Sequence, residues 1–413
     1  MIIPLNPTIV MLNPLFESAE YVDFSATILY NYFIMLIILS LLIFIRPFIS
    51  SLTYSYTNTF YSLLLLFFLC LWVISKKIEP EGFAAVKYPL ICFSFALIVS
   101  TLLSVNRLNS LTQLYQYANG MLIFLVCASF NHEQKKRLIR VIALTGIIAS
   151  ALAIYQYFFG FARLTQYAAR EGINDPFVMD YISRKRVFLP FVTPNILAGY
   201  LAMTIPVILV YKYRIWLVIP MAFALFLTKS LGGIAVIPVI LIVYFLLDEK
   251  IKTKKALLAL SGIIIAIAII AILRFSAQKL HQHPFFSTAM RLDYWKQTLR
   301  IIAYAPLKGV GPGNFNLGPS RYAHNSYLQL WAETGIFGLI TFLWFMARAM
   351  NKGLEALRES AKRREIACLF CASLAFLLHN LVDFSFFLPE VSLIWWAILG
   401  LLYSFIRQPL PES

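Results

Sequence analysis

Apolar runs long enough to cross a bilayer recur along this chain, and no other feature limits its fold as strongly. The blocks are about 18 to 22 residues long, the length that carries an α-helix through a ~30 Å hydrocarbon core. Inside lipid the backbone must satisfy its own hydrogen bonds, which leaves helices or a closed barrel. Barrel strands alternate apolar and polar residues, whereas Leu63–Val73 and Ile263–Ile272 are continuous. Helices are therefore expected throughout. Composition agrees: 60% of the 413 residues are hydrophobic, 13% are charged, and mean hydropathy is +0.77. A soluble domain carries roughly 25% charged residues. The expected fold class is an all-α polytopic membrane protein, with residues 1–413 forming a single membrane domain.

Windows of apolar residues predict about twelve transmembrane helices, near 27–46, 57–75, 88–105, 111–130, 141–160, 194–211, 215–229, 231–247, 256–273, 335–350, 366–384 and 390–406. A basic leader is not expected at the start, because residues 1–26 hold Glu17, Glu20 and Asp23 but no Lys or Arg. Lys and Arg gather in the connections 76–87, 131–140, 250–255 and 351–364. The positive-inside rule places these in the cytoplasm, and an even number of spans puts both termini there too. The predicted location is the inner (cytoplasmic) membrane.

Two outward connections break that charge bias. Residues 161–193 carry Arg163, Arg170, Arg184, Lys185 and Arg186, and residues 274–334, a large loop between the ninth and tenth spans, carry Arg274, Lys279, Arg291, Lys296, Arg300, Lys308 and Arg321. Two readings account for them: contact with phospholipid headgroups, or a site for a membrane-anchored polyanion such as a lipid pyrophosphate, whose oxygens match guanidinium forks. Connections as long as 274–334 are usually functional. Its segment 290–300 places Leu292, Trp295 and Leu299 at helical spacing, predicting an apolar face with Arg291 and Tyr294 off it. The glycines of 305–315 fit either a turn or close approach to a ligand. Tyr327, Leu328, Leu330 and Trp331 then form a helical stripe leading into a span, with His324 at its N-terminal end.

Metal chemistry has weak candidates. Cys368 and Cys371 are spaced C-x-x-C but sit in an apolar stretch with no second ligand pair, so packing is the better reading. His281 and His283 are read as loop histidines, and no metal is assigned. His379 and Asp383, toward the outer end of a span, fit a functional role or a hydrogen bond that fixes helix packing.

The segment His324-Asn325-Ser326-Tyr327-Leu328 through Glu333-Thr334-Gly335-Ile336-Phe337-Gly338-Leu339 resembles the signature of the bacterial O-antigen ligase and O-antigen polymerase family. Arg291 with Trp295 resembles the family's Arg-x-x-x-Trp, Gly309-Val310-Gly311-Pro312-Gly313-Asn314-Phe315 its glycine turn, and Arg186 with Thr193-Pro194-Asn195-Ile196-Leu197-Ala198-Gly199-Tyr200 its Arg…Asn-Pro-Asn segment. His379-Asn380-Leu381-Val382-Asp383 also fits. One departure stands out: Thr228-Lys229-Ser230-Leu231-Gly232 has Leu231 where the family usually has an Arg held to bind the donor's pyrophosphate.

The resemblance implies transfer of a glycan from undecaprenyl pyrophosphate to an acceptor hydroxyl, on lipid A-core or a glycan, at the outward face of the lipid bilayer. It makes His324 the base and assigns the pyrophosphate to Arg291, Arg186 and Lys229. Asn325, Tyr327, Glu333, Asn195 and Arg321 support them. The implied enzyme is an inverting, metal-independent glycosyltransferase without cofactor and without a nucleic-acid partner. A polysaccharide polymerase of the same family is the nearest alternative. A lipid-linked glycan flippase or transporter is the non-enzymatic one, disfavoured because the cations sit in outward loops and not at the bilayer midplane.

Overall fold

A computed structural model describes residues 33–76, 83–211, 216–247 and 286–407, together with 258, 261–266, 268–270 and 272. Among these residues every regular element is helical. Helix α1 covers 33–45 and runs into a 3-10 turn, Arg46–Phe48. It is followed by α2 (Ser55–Lys76), α3 (Ala84–Leu102), α4 (Arg107–Ala128) and α5 (His132–Tyr155). A π turn, Gln156–Gly160, leads into α6 (Phe161–Arg170) and α7 (Pro176–Ser183). Then come α8 (Pro194–Leu209), α9 (Val218–Leu227), α10 (Leu231–Leu247), α11 (Phe286–Tyr304), α12 (Ser326–Glu359), α13 (Arg363–His379) and α14 (Pro389–Tyr403).

Over the described residues each apolar window falls on one of these helices, with 27–46 and 256–273 described only in part. Among the described residues four helical segments are long and apolar enough to cross a membrane: Ser55–Ser75, Ala84–Leu102, His132–Arg170 and Ser326–Arg358. Asparagines set several of the starts. Asn106 caps α4, and Asn131 opens α5 with a capping box, its Oδ1 accepting from Gln134 N at 3.0 Å while Gln134 Oε1 accepts from Asn131 N at 2.9 Å. Helix α3 packs on α12, α4 on α14 and α2, α8 on α13 and α5. Helix α14 is buried along its whole length at the centre of this bundle.

Cations of two basic connections close helix C-termini at one end of the bundle. Arg364 Nε donates to Leu209 O (2.8 Å), the last residue of α8, and Arg363 Nε donates to Leu247 O (3.1 Å), the last of α10. Lys135 Nζ donates to Ser404 O (3.3 Å) just past α14. The last carbonyls of a helix have no intrahelical donor and carry the negative end of its dipole, so cations belong there.

Two expectations change. The stretch 161–193, read as a loop, contains α6 and α7. The face of α11 predicted from Leu292, Trp295 and Leu299 turns the other way: Leu292 and Leu299 are about half exposed, while Tyr294, Thr298 and Ile302 are buried. The reason is what lies beneath the helix. The neighbours there are the His324 ring and a small cluster of Ile302, Phe315, Ala323 and Ala332, which favour a flat aromatic over a leucine edge. Arg274, Lys279, His281, His283 and the connection 250–255 lie outside the described residues.

The glycine turn and the Glu333-Thr334-Gly335 signature interlock. Gly311 N donates to Glu333 O (2.9 Å), Val310 N to Ala332 O (2.9 Å) and Ile336 N to Pro306 O (2.9 Å). Gly335 (φ 72, ψ 178) divides α12 into a short helix and a long one, and a Cβ on it would lie 2.0 Å from Leu307 O. Gly309 faces the same limit, with Glu333 O 2.2 Å from a Cβ. These glycines admit another strand of the chain's own backbone. Gly335→Ala is expected to cost about 3 kcal/mol or more, from left-handed φ and overlap together. Thermal unfolding of the purified protein measures this, and an unchanged midpoint contradicts it.

Candidate active site

His324 sits where three segments converge. Its backbone is left-handed (φ 51), a conformation that holds the residue just ahead of the helix cap at Asn325. The ring stacks on Tyr294 of α11 (centroids 5.7 Å apart, planes 16°) and meets Phe384 edge-on (4.8 Å, 89°). Phe384 in turn stacks on Tyr322 at 4.1 Å. Nδ1 is buried with no hydrogen-bond partner. Burial lowers the imidazole pKa to about 4; Asp383 opposes that shift and the charge of Arg291 adds to it. At neutral pH the ring is uncharged and has a lone pair to offer.

Behind it lies a second histidine. His379 Nε2 is 3.2 Å from Asp383 Oδ2 and 3.2 Å from Asn195 O. Both are acceptors, so Nε2 carries the proton. Ser385 Oγ also donates to Asp383. His379 Nδ1 and Asp383 Oδ1 are buried without partners. Gly199 of α8 makes room for this ring, since a Cβ on it would fall 2.3 Å from His379 Cδ2, while one on Gly232 of α10 would crowd Val382 Cγ2 at 2.9 Å. The two His-Asn pairs are tied together: Ser326 N donates to Asn380 O (2.9 Å), and Ser326 Oγ to Asn380 Oδ1 (2.6 Å) and Asp383 O (3.1 Å).

Arg186 lies on the other side of Asn195. Its Nη2 donates to Asn195 Oδ1 (3.4 Å), its Nε to Thr228 O (3.1 Å) and its Nη1 to Asp180 Oδ2 (3.1 Å). Burial lowers its pKa, with Asp180 acting the other way. Lys229, left-handed at φ 52, donates from Nζ to Arg184 O (2.6 Å). Leu231 is the first residue of α10 and half-buried.

The predicted residues divide by this geometry. His324 and Arg291 are within electrostatic reach of each other, and Arg186, Lys229 and Asn195 form a second group joined to the first through His379 and Asp383. Asn325 and Tyr327 work on the scaffold: Asn325 Oδ1 accepts from Tyr327 N and Leu328 N (3.0 Å each), and Tyr327 Oη donates to Leu377 O (2.9 Å). Glu333 accepts from Gly313 N (3.0 Å) and Gln329 Nε2 (3.0 Å), so it holds the glycine turn. Arg321 is exposed beside Tyr322. Sequence reasoning missed Asp180, whose only signal was its place just before a basic cluster. It also missed Phe384, an ordinary apolar residue in sequence.

Residues 216–343 match the family model described as O-antigen ligase. This segment of the chain is similar to the O-antigen ligase family. It runs from α9 into α12 and includes Lys229, Leu231, Arg291 and His324. The O-antigen ligase match supports a role in lipopolysaccharide or surface-polysaccharide assembly, in a family acting on lipid-linked glycans and an acceptor. Arg186, Asn195, His379 and Asp383 lie outside the matched segment, yet contact or flank its residues. No curated protein matches the chain.

Proposed function

We propose that this chain is an inverting glycosyltransferase that moves a glycan from undecaprenyl pyrophosphate to an acceptor hydroxyl at the outward face of the inner membrane. The observation that carries the reading is His324: an uncharged imidazole with a buried, unpartnered nitrogen under the charge of Arg291. The acceptor oxygen attacks the anomeric carbon, the bond from that carbon to the pyrophosphate oxygen breaks, and His324 takes the hydroxyl proton. Arg291, with the Arg186 and Lys229 group, meets the charge that develops on the leaving pyrophosphate. Asp383 faces His324 and stabilises the imidazolium as it forms. Direct displacement inverts the anomeric centre, and the cations present serve without a metal.

Twelve spans with both termini cytoplasmic fit this scheme. Helix α12 starts beside His324 and ends just before Arg363 and Arg364, which puts these two groups at opposite ends of it. The test is transfer by purified protein in nanodiscs supplied with the lipid-pyrophosphate glycan. Lipid A-core and a short polysaccharide are offered in parallel, and the acceptor used separates ligase from polymerase. No transfer to either, with the donor intact, sinks the reading.

The pH profile follows from His324. Because the active form is the neutral ring and its pKa is lowered to about 4, transfer is expected to stay level from pH 8 to about 5 and fall below that. The same shift acts on stability. The unfolded chain binds this proton from about pH 6.5 downward, earlier than the folded one, so this contribution is whole above that pH and lost progressively toward pH 4. A rate that halves between pH 7.5 and 6.5 would place the controlling group elsewhere.

A further inference from the structure

Asp180 bridges two arginines in a way that a phosphate would. Its Oδ1 accepts from Arg184 Nη1 (3.4 Å) and its Oδ2 from Arg186 Nη1 (3.1 Å). The Lys229 ammonium, bound to the Arg184 carbonyl, brings a third cation within reach of both guanidinium groups. Three positive charges therefore surround one carboxylate. The site is not sealed, since 14–15% of each arginine side chain is exposed.

Arg186 does not depend on Asp180 for its orientation, because Thr228 O and Asn195 Oδ1 hold its other N–H groups. Asp180 itself rides on α7, a helix of eight residues that packs on α6 and exposes Phe177 and Met179. The connection back to α6 includes Gly172 at φ +62, where an added Cβ would meet nothing. Its other ties are Tyr181, whose carbonyl accepts from Arg186 N (2.9 Å) and whose ring meets Phe188, and the bond from Lys229 to the Arg184 cap.

We propose that Asp180 is a carboxylate stand-in, displaced from Arg184 and Arg186 by the pyrophosphate of the incoming donor, with Arg184 a further residue of the phosphate site. The identity of the donor rests on the transferase reading; the displacement does not. Exchanging one oxyanion for another keeps the buried guanidinium groups paired at every stage, which avoids the heavy cost of an uncompensated buried charge. A diphosphate offers more acceptor oxygens than a carboxylate and a second negative charge, so with three cations present it wins the exchange. Freed of its arginines, α7 loosens.

Two measurements on the full chain in nanodiscs test this, both with inorganic pyrophosphate as the probe. Asp180→Asn is expected to bind pyrophosphate about tenfold more tightly than the parent, the scale of one charge-assisted contact no longer competed for. A nitroxide at Phe177→Cys, in a background lacking the native cysteines, is expected to gain mobility when pyrophosphate is added. Equal or weaker binding by Asp180→Asn makes the carboxylate a structural partner of Arg186 and overturns the proposal. An unmoved spin label, or a parent protein that does not bind pyrophosphate, overturns it equally. Pyrophosphate binding with label release but no glycan transfer leaves this inference standing and removes the transferase reading.

Discussion

Replacing His324 with alanine is expected to lower glycan transfer by about 10²–10⁴-fold, the range for loss of a positioned base, or roughly 3–5 kcal/mol of barrier. The ring has no polar bond of its own through Nδ1, so its removal leaves no severed partner there. Alanine does have to adopt the left-handed φ of 51, which costs about 1–2 kcal/mol. His324→Asn separates the two effects, because asparagine tolerates that conformation but is no base at neutral pH. Both variants are expected to lose turnover, with the asparagine form unfolding close to the parent. Arg291→Ala is expected to act differently, by weakening the proposed grip on the departing pyrophosphate. Parent-like transfer by His324→Asn would remove the base from the mechanism.

The largest stability effect is expected at Glu390. This carboxylate, in the first turn of α14, faces Arg46, whose side chain is fully buried. Ser51 N and Oγ both donate to Glu390 Oε1 (3.1 Å each). Arg46 donates to Asn58 Oδ1 (2.6 Å) and Ile49 O (3.0 Å), while its Nε has no partner. Glu390→Ala strands that guanidinium without its counter-charge and is expected to cost about 3–5 kcal/mol, whereas a paired replacement by apolar residues of similar size is far cheaper. Denaturant unfolding in detergent of Glu390→Ala and of Arg46→Met/Glu390→Met distinguishes the cases. A single variant as stable as the parent, or a double variant worse than the single, contradicts the account.

How much was legible in sequence depended on the physics behind each signal. Helix positions were, because burial in lipid forces long apolar blocks. The family resemblance was, because a histidine-asparagine pair ahead of an amphipathic stripe belongs to a recognisable signature, and the matched segment includes it. The orientation of α11 was not. Periodicity counts Leu292 and Leu299 as an inward face, but a helix beside lipid can turn leucines outward, and the stacking demand of His324 draws Tyr294 in. The glycines of the turn read equally well as ligand contacts, since the close approach of Leu307 O to Gly335 is set by residues that only folding brings together. Asp180 was silent for the same reason: nothing local says which arginines a carboxylate will bridge. His379 and Asp383 were noticed as ionisable residues near the outer end of a span, yet their link to Arg186 through Asn195 is a property of three helices at once.

The cations that finish α8, α10 and α14 carry a consequence for biogenesis. A basic segment is usually regarded as a tether that keeps one side of a hairpin from being translocated. Arg363, Arg364 and Lys135 do more, because each also supplies the donor that a completed neighbour lacks. A hairpin threaded backwards would carry its charge to the wrong leaflet and leave carbonyl tips facing hydrocarbon without a donor. Insertion errors and docking errors are thus penalised by the same few side chains, and an exchange of those residues for neutral ones would relax both safeguards together.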